Sequence, residues 1–375
     1  MNKTIALVAN SAWYLANFRL NLARALQGAG YEVIAIAPPA SDSARIEAAG
    51  VRFVTLPMDI KGTSPIHDLA YLFRLLRVLR QNRPDVFIGY TIKPNIYGGL
   101  ACRILAVPSV HNISGLGTAF IRETWVTRLV QVLYSQSLRK AGCVFFQNPD
   151  DHALFIKLGL VRAEQTEILP GSGVDLVRFA PQPVAERNGT APFRFLLVAR
   201  MLWDKGVWEF VEAARKLKAE GRSVECRLLG FVDVENPTAV PSQTVAAWEA
   251  EGLVRYLGAA EDVRPHLVET DCVVLPSYRE GTPRSLLEAA AMARPIITTD
   301  SVGCREVVDD GETGFLCRPR DADDLAEKMR LIMDLPHDAR ATMGQMGRKK
   351  MERQFDEAIV IERYLDVVTS FSRRT

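Results

Sequence analysis

Short apolar runs alternate with helix-period segments along the whole 375-residue chain. In the first half the runs are TIALVAN, YEVIAIAP, VRFVTLPM, DVFIGYT, SVHNIS and CVFFQN, each followed by a turn and a helical pattern. FRFLLVAR, VECRLLG, VRYLG, CVVLPS and PIITTD continue the series in the second half. Strands that are apolar almost throughout must be covered on both faces, and helices between them do the covering, so the sheets are parallel. The alternation weakens across residues 176–192, where prolines, a glycine and polar residues predict a linker. The expected fold is α/β, with two Rossmann-like doubly wound domains in tandem. Ligands of such sheets bind beyond the carboxyl ends of the strands, so chemistry is sought just after each apolar run.

Composition narrows the class without naming it. The chain is 48% hydrophobic and 24% charged, with a net charge of +2, as expected of an ordinary folded protein. That charge is unevenly spread. Residues 1–180 hold 19 Lys and Arg against 12 Asp and Glu, whereas residues 181–375 hold 27 against 32. The basic first half suits an anionic partner such as phosphates or a membrane surface. No nucleic-acid partner is expected. Six scattered cysteines, several inside apolar runs, read as buried thiols of a reducing compartment. The opening MNKTIALVAN reads as a first core strand rather than a signal peptide, and no uninterrupted apolar stretch is long enough to span a membrane.

The segment after the first strand, NSAWYLANFR, lacks the G-x-G-x-x-G of a dinucleotide-binding domain. Gly115 and Gly117 in GLGTAF match it only in part and after the wrong strand; they mark a sharp turn or a close backbone approach. In the second half, VARMLWDKGV sets Arg200 at a strand tip and Lys205 at a helix mouth. Two cations beside unbonded helix N–H groups make an anion site suited to a diphosphate. The following helix is expected to turn Val207, Phe210, Val211, Ala214 and Leu217 inward and to end at Gly221. LPSYREGTPRSLLEAA repeats the arrangement. Thr282 is expected to cap a helix with Pro283 at its first position, leaving the N–H groups of Arg284, Ser285 and Leu286 free. Glu280 lies in the loop before that helix and Glu288 inside it, among Leu and Ala. A carboxylate there can accept two hydrogen bonds from a ribose diol, or pair with a nearby arginine.

ARMLWDKG, followed by EGTPRSLLE, resembles the Arg-x4-Lys and Glu-x7-Glu pair of the family 4 retaining glycosyltransferases, which have the GT-B fold. GSGVDLVRF resembles their domain-junction segment. The resemblance implies that Arg200 and Lys205 hold the donor diphosphate, Glu280 the transferred sugar and Glu288 the ribose. It implies a donor surface that also includes Gly281, Thr282, Pro283, Arg284, Ser285 and Leu286, with the base near Tyr256 and Leu257. Narrower likeness in AWYLANFR, YTIKPNIYGGLA and NISGLGTAF points to bacterial N-acetylhexosaminyltransferases acting on undecaprenyl-diphosphate-linked sugars. This implies a UDP-sugar donor, a lipid-linked saccharide acceptor, and no cofactor or metal. On the acceptor side the candidates are Asn17, Arg19, Lys93, His111, Gly115 and Gly117; His111 reads equally as a satisfied core histidine. The double glycine common after the first strand of the family is missing here. The resemblance divides the chain into an acceptor domain over 1–180, a nucleotide-sugar domain over 181–354, and a helix over 355–375 returning to the first domain.

The Asp-x-Asp that metal-dependent transferases use occurs only at Asp321–Asp323, where it reads as a helix cap. A UDP-sugar 2-epimerase of related fold, a nicotinamide dehydrogenase and a non-catalytic nucleotide-sugar sensor are the rival readings. The expected location is cytoplasmic, peripheral on the inner face of the cytoplasmic membrane. Helix 66–82 reads as a core element with a basic outer face of Arg74, Arg77 and Arg80. Over 124–140 the apolar positions Trp125, Val126, Leu129, Val130, Val132, Leu133, Tyr134 and Leu138 exceed what one sheet contact needs. Flanked by Arg122, Arg128, Arg139 and Lys140, this helix is the expected docking element on anionic lipid.

Overall fold

The computed structural model describes residues 3–60, 62, 64–116, 125–182 and 191–372. It contains two compact units, one formed by residues 1–172 with 358–375, the other by 173–357. The first holds seven strands: β1 (Thr4–Val8), β2 (Glu32–Ala37), β3 (Arg52–Thr55), β4 (Val86–Tyr90), β5 (Ser109–Ile113), β6 (Cys143–Phe146) and β7 (Thr166–Ile168). The second holds β8 (Phe193–Val198), β9 (Val224–Leu229), β10 (Arg255–Tyr256), β11 (Cys272–Leu275), β12 (Ile296–Thr299) and β13 (Gly314–Cys317). The sheet orders are β3-β2-β1-β4-β5-β6-β7 and β10-β9-β8-β11-β12-β13, with every pairing parallel.

Strand side chains alternate between faces, and both faces are apolar. In β1 and β2, Ile5, Leu7, Val33 and Ala35 pack with Leu22 and Leu26 of helix Leu20–Gly28. Their neighbours Ala6, Val8, Ile34 and Ile36 pack with Leu75 and Leu79 of helix Pro65–Asn82. Each buried Val, Leu or Ile among them stabilises the fold by roughly 1.5–3 kcal/mol. The final helix, Glu357–Ser372, joins the first core through Val360, Tyr364 and Val368. Tyr364 packs edge-on to Phe145 at 4.8 Å between ring centres, and its hydroxyl accepts from Asn112 Nδ2 at 2.9 Å.

The linker expected over 176–192 is partly a packed segment. Val174 and Phe179 are buried in the second core, because GVDLVRF carries apolar side chains at the spacing of a turn. The chain crosses between units at 172/173 and again at 357/358. Val174 N–H donates to the Phe355 carbonyl at 2.8 Å, and Glu357 N–H to the Val174 carbonyl at 3.1 Å. Gly173 has φ of 68°, and a Cβ there would lie 2.4 Å from the Glu357 Cα, so only glycine allows the two passages to lie side by side.

One helix of the first unit differs from expectation, and another keeps part of the surplus apolar surface expected of it. Helix Pro65–Asn82 buries Tyr71, Leu75, Leu76 and Leu79 but leaves Ile66, Leu69 and Phe73 exposed, so its outer face is not purely basic. Helix Trp125–Leu138 exposes Leu129 and Val132 while burying Tyr134 and Leu138. Arg122, and the side chains of Trp125 and Val126, lie outside the described residues. Among the described residues, no helix is long and apolar enough to cross a membrane. All six cysteines are free thiols and buried.

Candidate functional site

The site is assembled in the second unit from the exits of β8 and β11. β8 ends at Val198, and Arg200 stands two residues beyond it, exposed and without a side-chain hydrogen bond or ion pair among the described residues. The chain then makes a short helical turn, Trp203–Lys205, and enters helix Val207–Ala219 through Gly206. Gly206 has φ of 70°, and a Cβ on it would lie 2.1 Å from the Pro276 carbonyl oxygen. Its lack of a side chain therefore lets this turn lie against the β11 exit. Tyr278 N–H donates to the Asp204 carbonyl at 2.9 Å, and Ser277 Oγ to the same oxygen at 3.1 Å. Glu280 N–H in turn donates to the Val302 carbonyl at 2.9 Å.

These bonds bring Lys205 Nζ onto Glu280 Oε1, a charge-assisted hydrogen bond between two largely buried side chains. The expected phosphate cation and the expected sugar carboxylate are therefore neighbours, although 75 residues apart in the chain. Arg200 makes no side-chain hydrogen bond or ion pair with either among the described residues.

Helix Arg284–Ala291 begins one residue later than expected, with Pro283 at the capping position and no side chain capping it. Leu286 N–H donates to the Pro283 carbonyl at 3.0 Å, so this N–H is not free, contrary to expectation. Proline's fixed φ suits the start of the turn. Glu288 Oε1 accepts from Arg284 Nε at 2.9 Å, one helical turn back, and both side chains are largely buried. Burial raises the Glu288 pKa above its ordinary value of 4.5, with the Arg284 charge opposing. A carboxylate whose second oxygen can still accept is suited to a diol. The base-side candidates are tied together: Tyr256 Oη donates to the Gly230 carbonyl at 2.8 Å, and Leu257 N–H to Leu228 at 2.9 Å.

Sequence reasoning missed Glu209 and Tyr278. Tyr278 Oη donates to Glu209 Oε1 at 2.6 Å, linking the helix after Lys205 to the loop before Glu280. Glu209 lies off the apolar stripe of its helix, so periodicity marks it as solvent-facing; it is buried because the β11 exit covers it.

The acceptor-side candidates belong to the first unit, and the structure does not make one site of them. Arg19 is buried, its guanidinium 4.4 Å from the Tyr90 ring centre and bonded to Tyr14 Oη at 2.9 Å, so it cannot meet an acceptor. His111 is buried between Asn95 Oδ1 at 3.2 Å and Ser109 Oγ at 3.0 Å, and burial lowers its pKa to about 3. It is a satisfied core histidine, uncharged at neutral pH. Lys93 Nζ donates to the Asp59 and Gly62 carbonyls, both at 2.7 Å, and to Asp68 Oδ1 at 2.5 Å, which makes it a loop clamp. Asn17 is half-exposed, donates to the Trp13 carbonyl at 2.9 Å and accepts from Arg45 at 3.3 Å. Gly115 has φ of 126°, a sharp turn that favours glycine; Gly117 lies outside the described residues.

No group of His, Cys, Asp and Glu that could hold a metal occurs among the described residues. Asp321 caps helix Ala322–Asp334, its side chain accepting from Asp323 and Asp324 N–H at 3.1 and 2.9 Å.

Comparison with known proteins agrees with this geometry. Residues 15–171 match the profile described as a glycosyl transferase 4-like domain, and residues 192–334 match that of glycosyl transferases group 1. The chain is 28% identical over 376 aligned positions to the N,N'-diacetylbacillosaminyl-diphospho-undecaprenol alpha-1,3-N-acetylgalactosaminyltransferase of Campylobacter jejuni, covering 96% of this chain and 97% of that protein. It is 26% identical to the Escherichia coli UDP-Gal:alpha-D-GlcNAc-diphosphoundecaprenol alpha-1,3-galactosyltransferase, over 76% of this chain and 75% of that one. Its fold superposes on Anabaena HepE, solved with UDP and glucose, with a TM-score of 0.80 at 17% identity, covering 98% and 100% of the two chains. With one glycosyltransferase profile on each unit and relatives of this class along its whole length, the chain belongs to the GT-B glycosyltransferases of family 4.

Proposed function

We propose that the protein moves a sugar, N-acetylgalactosamine or a related hexosamine, from a UDP-sugar to a polyprenyl-diphosphate-linked saccharide, retaining the anomeric configuration. The observation that carries this reading is the pair of ion contacts, Lys205–Glu280 joining the exits of the sheet neighbours β8 and β11, and Arg284–Glu288 within the helix that follows β11. Donor binding places the diphosphate by Lys205 and Arg200, the sugar hydroxyls by Glu280 and the ribose by Glu288. As the glycosidic bond breaks, negative charge grows on the leaving diphosphate, and fixed cations stabilise that charge more than they stabilise the bound donor. The named substrates of the Campylobacter and Escherichia relatives support a lipid-linked acceptor and a hexose or hexosamine donor.

No divalent metal takes part in this scheme, since Lys205 and Arg200 supply the charge a metal would. Activity accordingly survives excess EDTA; complete loss that Mg²⁺ or Mn²⁺ restores would overturn the assignment of the cations.

An acceptor held in lipid requires the enzyme at a membrane, and we place it on the cytoplasmic face, bound peripherally through the first unit. Ile66, Leu69 and Phe73 are 78%, 52% and 62% exposed and lie on one line of helix Pro65–Asn82; Arg77 and Arg80, both exposed, continue that line. Leu129 and Val132, beside the exposed Arg128, offer a second patch. Apolar side chains backed by arginines suit an anionic leaflet.

The test is a panel of UDP-sugars offered with a synthetic polyprenyl-diphosphate sugar, the product's anomeric configuration being read by NMR. An inverted linkage, or no transfer from any UDP-sugar, would refute the reading.

A further inference from the structure

The bond between Tyr278 and Glu209 joins the helix that follows Lys205 to the loop that carries Glu280. Glu209 is the third residue of helix Val207–Ala219, and its carboxylate is buried. One oxygen accepts from Tyr278 Oη at 2.6 Å; the other, Oε2, is buried without a partner. A buried carboxylate with a single hydrogen-bonding partner is a costly group to keep. The start of its helix offsets part of that cost, because the positive end of the helix dipole favours an anion there. Tyr278 is held on three sides. Its N–H donates to the Asp204 carbonyl at 2.9 Å, its hydroxyl reaches Glu209, and the Arg320 guanidinium lies 4.6 Å from its ring centre. Asp204 immediately precedes Lys205, and Tyr278 lies two residues before Glu280. The tyrosine thus spans the junction between the cation loop and the carboxylate loop, with its two polar groups bonded to opposite sides of Lys205 in the chain.

We propose that Tyr278 and Glu209 are positioning residues for the transfer: their hydrogen bond fixes the separation of Lys205 and Glu280. The diphosphate and the departing sugar are thereby held at one spacing while the bond between them breaks. The proposal rests on the reading of Lys205 and Glu280 given above. Neither Tyr278 nor Glu209 touches the donor in this scheme; each acts through a neighbour.

The experiment uses the full chain and two readouts, one of which needs no substrate. Hydrogen exchange at residues 202–206 and 276–282 is compared in the wild type and Tyr278→Phe. Loss of the hydroxyl is expected to speed exchange in both segments about ten- to a hundredfold, the scale of one charge-assisted hydrogen bond. Unchanged exchange in both overturns the proposal, whatever the enzyme's substrate proves to be. The second readout is turnover with UDP-N-acetylgalactosamine and a polyprenyl-diphosphate sugar. Tyr278→Phe is expected to lower kcat about tenfold with less than a threefold change in KM, because a misplaced pair costs most in the transition state. Adding Tyr278→Phe to Lys205→Ala is expected to cost little more than Lys205→Ala alone, since the hydroxyl acts through that lysine. Equal, additive losses in both backgrounds overturn the proposal, as a merely structural tyrosine would give them. Glu209→Gln, which keeps an acceptor oxygen, is expected to lose less turnover than Glu209→Ala; if Tyr278→Phe fails to fold, this pair decides. Equal losses in that pair count against positioning. Wild-type protein that transfers nothing refutes the proposed reaction, and exchange still judges the hydrogen bond.

Discussion

Lys205 and Glu280 neutralise one another across two loops, and Arg284 and Glu288 do so within one helix. The two pairs carry different loads. In the proposed reaction Lys205 and Arg200 face charge that grows during transfer, and a charge-assisted hydrogen bond contributes about 1.5–3 kcal/mol. Arg200→Ala or Lys205→Ala is therefore expected to lower kcat/KM by about ten- to a hundredfold with the fold intact, and steady-state kinetics checks it. The carboxylates separate by ligand. Glu288→Ala is expected to weaken UDP itself, because the ribose is present in donor and product alike, whereas Glu280→Ala spares UDP and damages transfer. Equal losses of UDP affinity by calorimetry would refute that division. Glu288 also sets a pH dependence. Because burial holds its pKa above 4.5, acidification protonates it earlier than an ordinary glutamate and removes its charge as an acceptor. UDP affinity is accordingly expected to fall as pH drops, with a midpoint above 4.5, and Glu288→Gln should flatten that fall. Calorimetry at stepped pH reads it.

Helices and strands were legible to different degrees for physical reasons. Eleven of the thirteen strands among the described residues stand out as apolar runs because both faces of a parallel sheet are buried. The other two escape notice for local reasons: β7 is Thr-Glu-Ile, with two polar residues of three, and β13 opens on a glycine directly after a polar loop. The inner stripe of helix Val207–Ala219 was read correctly at all five positions, since amphipathicity is a property of spacing. The motif-bearing residues of the second unit were legible because their chemistry is local to strand exits. Glu209 was not, because its burial comes from a loop distant in sequence. Arg19 and Lys93 show the reverse: a cation in a motif-like segment shortly after a strand looks available in the sequence, and tertiary contacts engage it in the fold. Helix Pro65–Asn82 shows the same limit. Its outer line of Ile66, Leu69 and Phe73 is hard to separate from its core by periodicity alone, since leucines ring much of the helix. Replacing Leu69 and Phe73 with Asn is expected to leave thermal unfolding nearly unchanged, as both are exposed. The same change should release the protein from vesicles containing anionic lipid, as should reversing Arg77 and Arg80. Flotation at rising salt tests this; binding indifferent to both changes would exclude this face.

At the scale of the whole molecule, the charge asymmetry of the sequence follows the two units, a basic one built around β1–β7 and a more acidic one built around β8–β13. The basic unit exposes Ile66, Leu69 and Phe73 along one helix, and the more acidic unit holds the two ion pairs proposed to meet the donor. The connection between them has a genealogical reading. Because the passages at Gly173 and Glu357 are hydrogen-bonded side by side, the second unit enters and leaves at a single point. In sequence it is an insertion: a complete module spliced into a host whose last helix is added only after the guest has been made. A module whose ends already touch can be cut out without stretching either. Residues 173–357 expressed alone should fold and bind UDP within a few-fold of the intact chain. The host, rejoined by a short glycine-rich loop from residue 172 to residue 358, should fold without its guest. Circular dichroism and calorimetry on the two pieces decide whether each is self-sufficient, and an unfolded guest would show that the splice is one of sequence only.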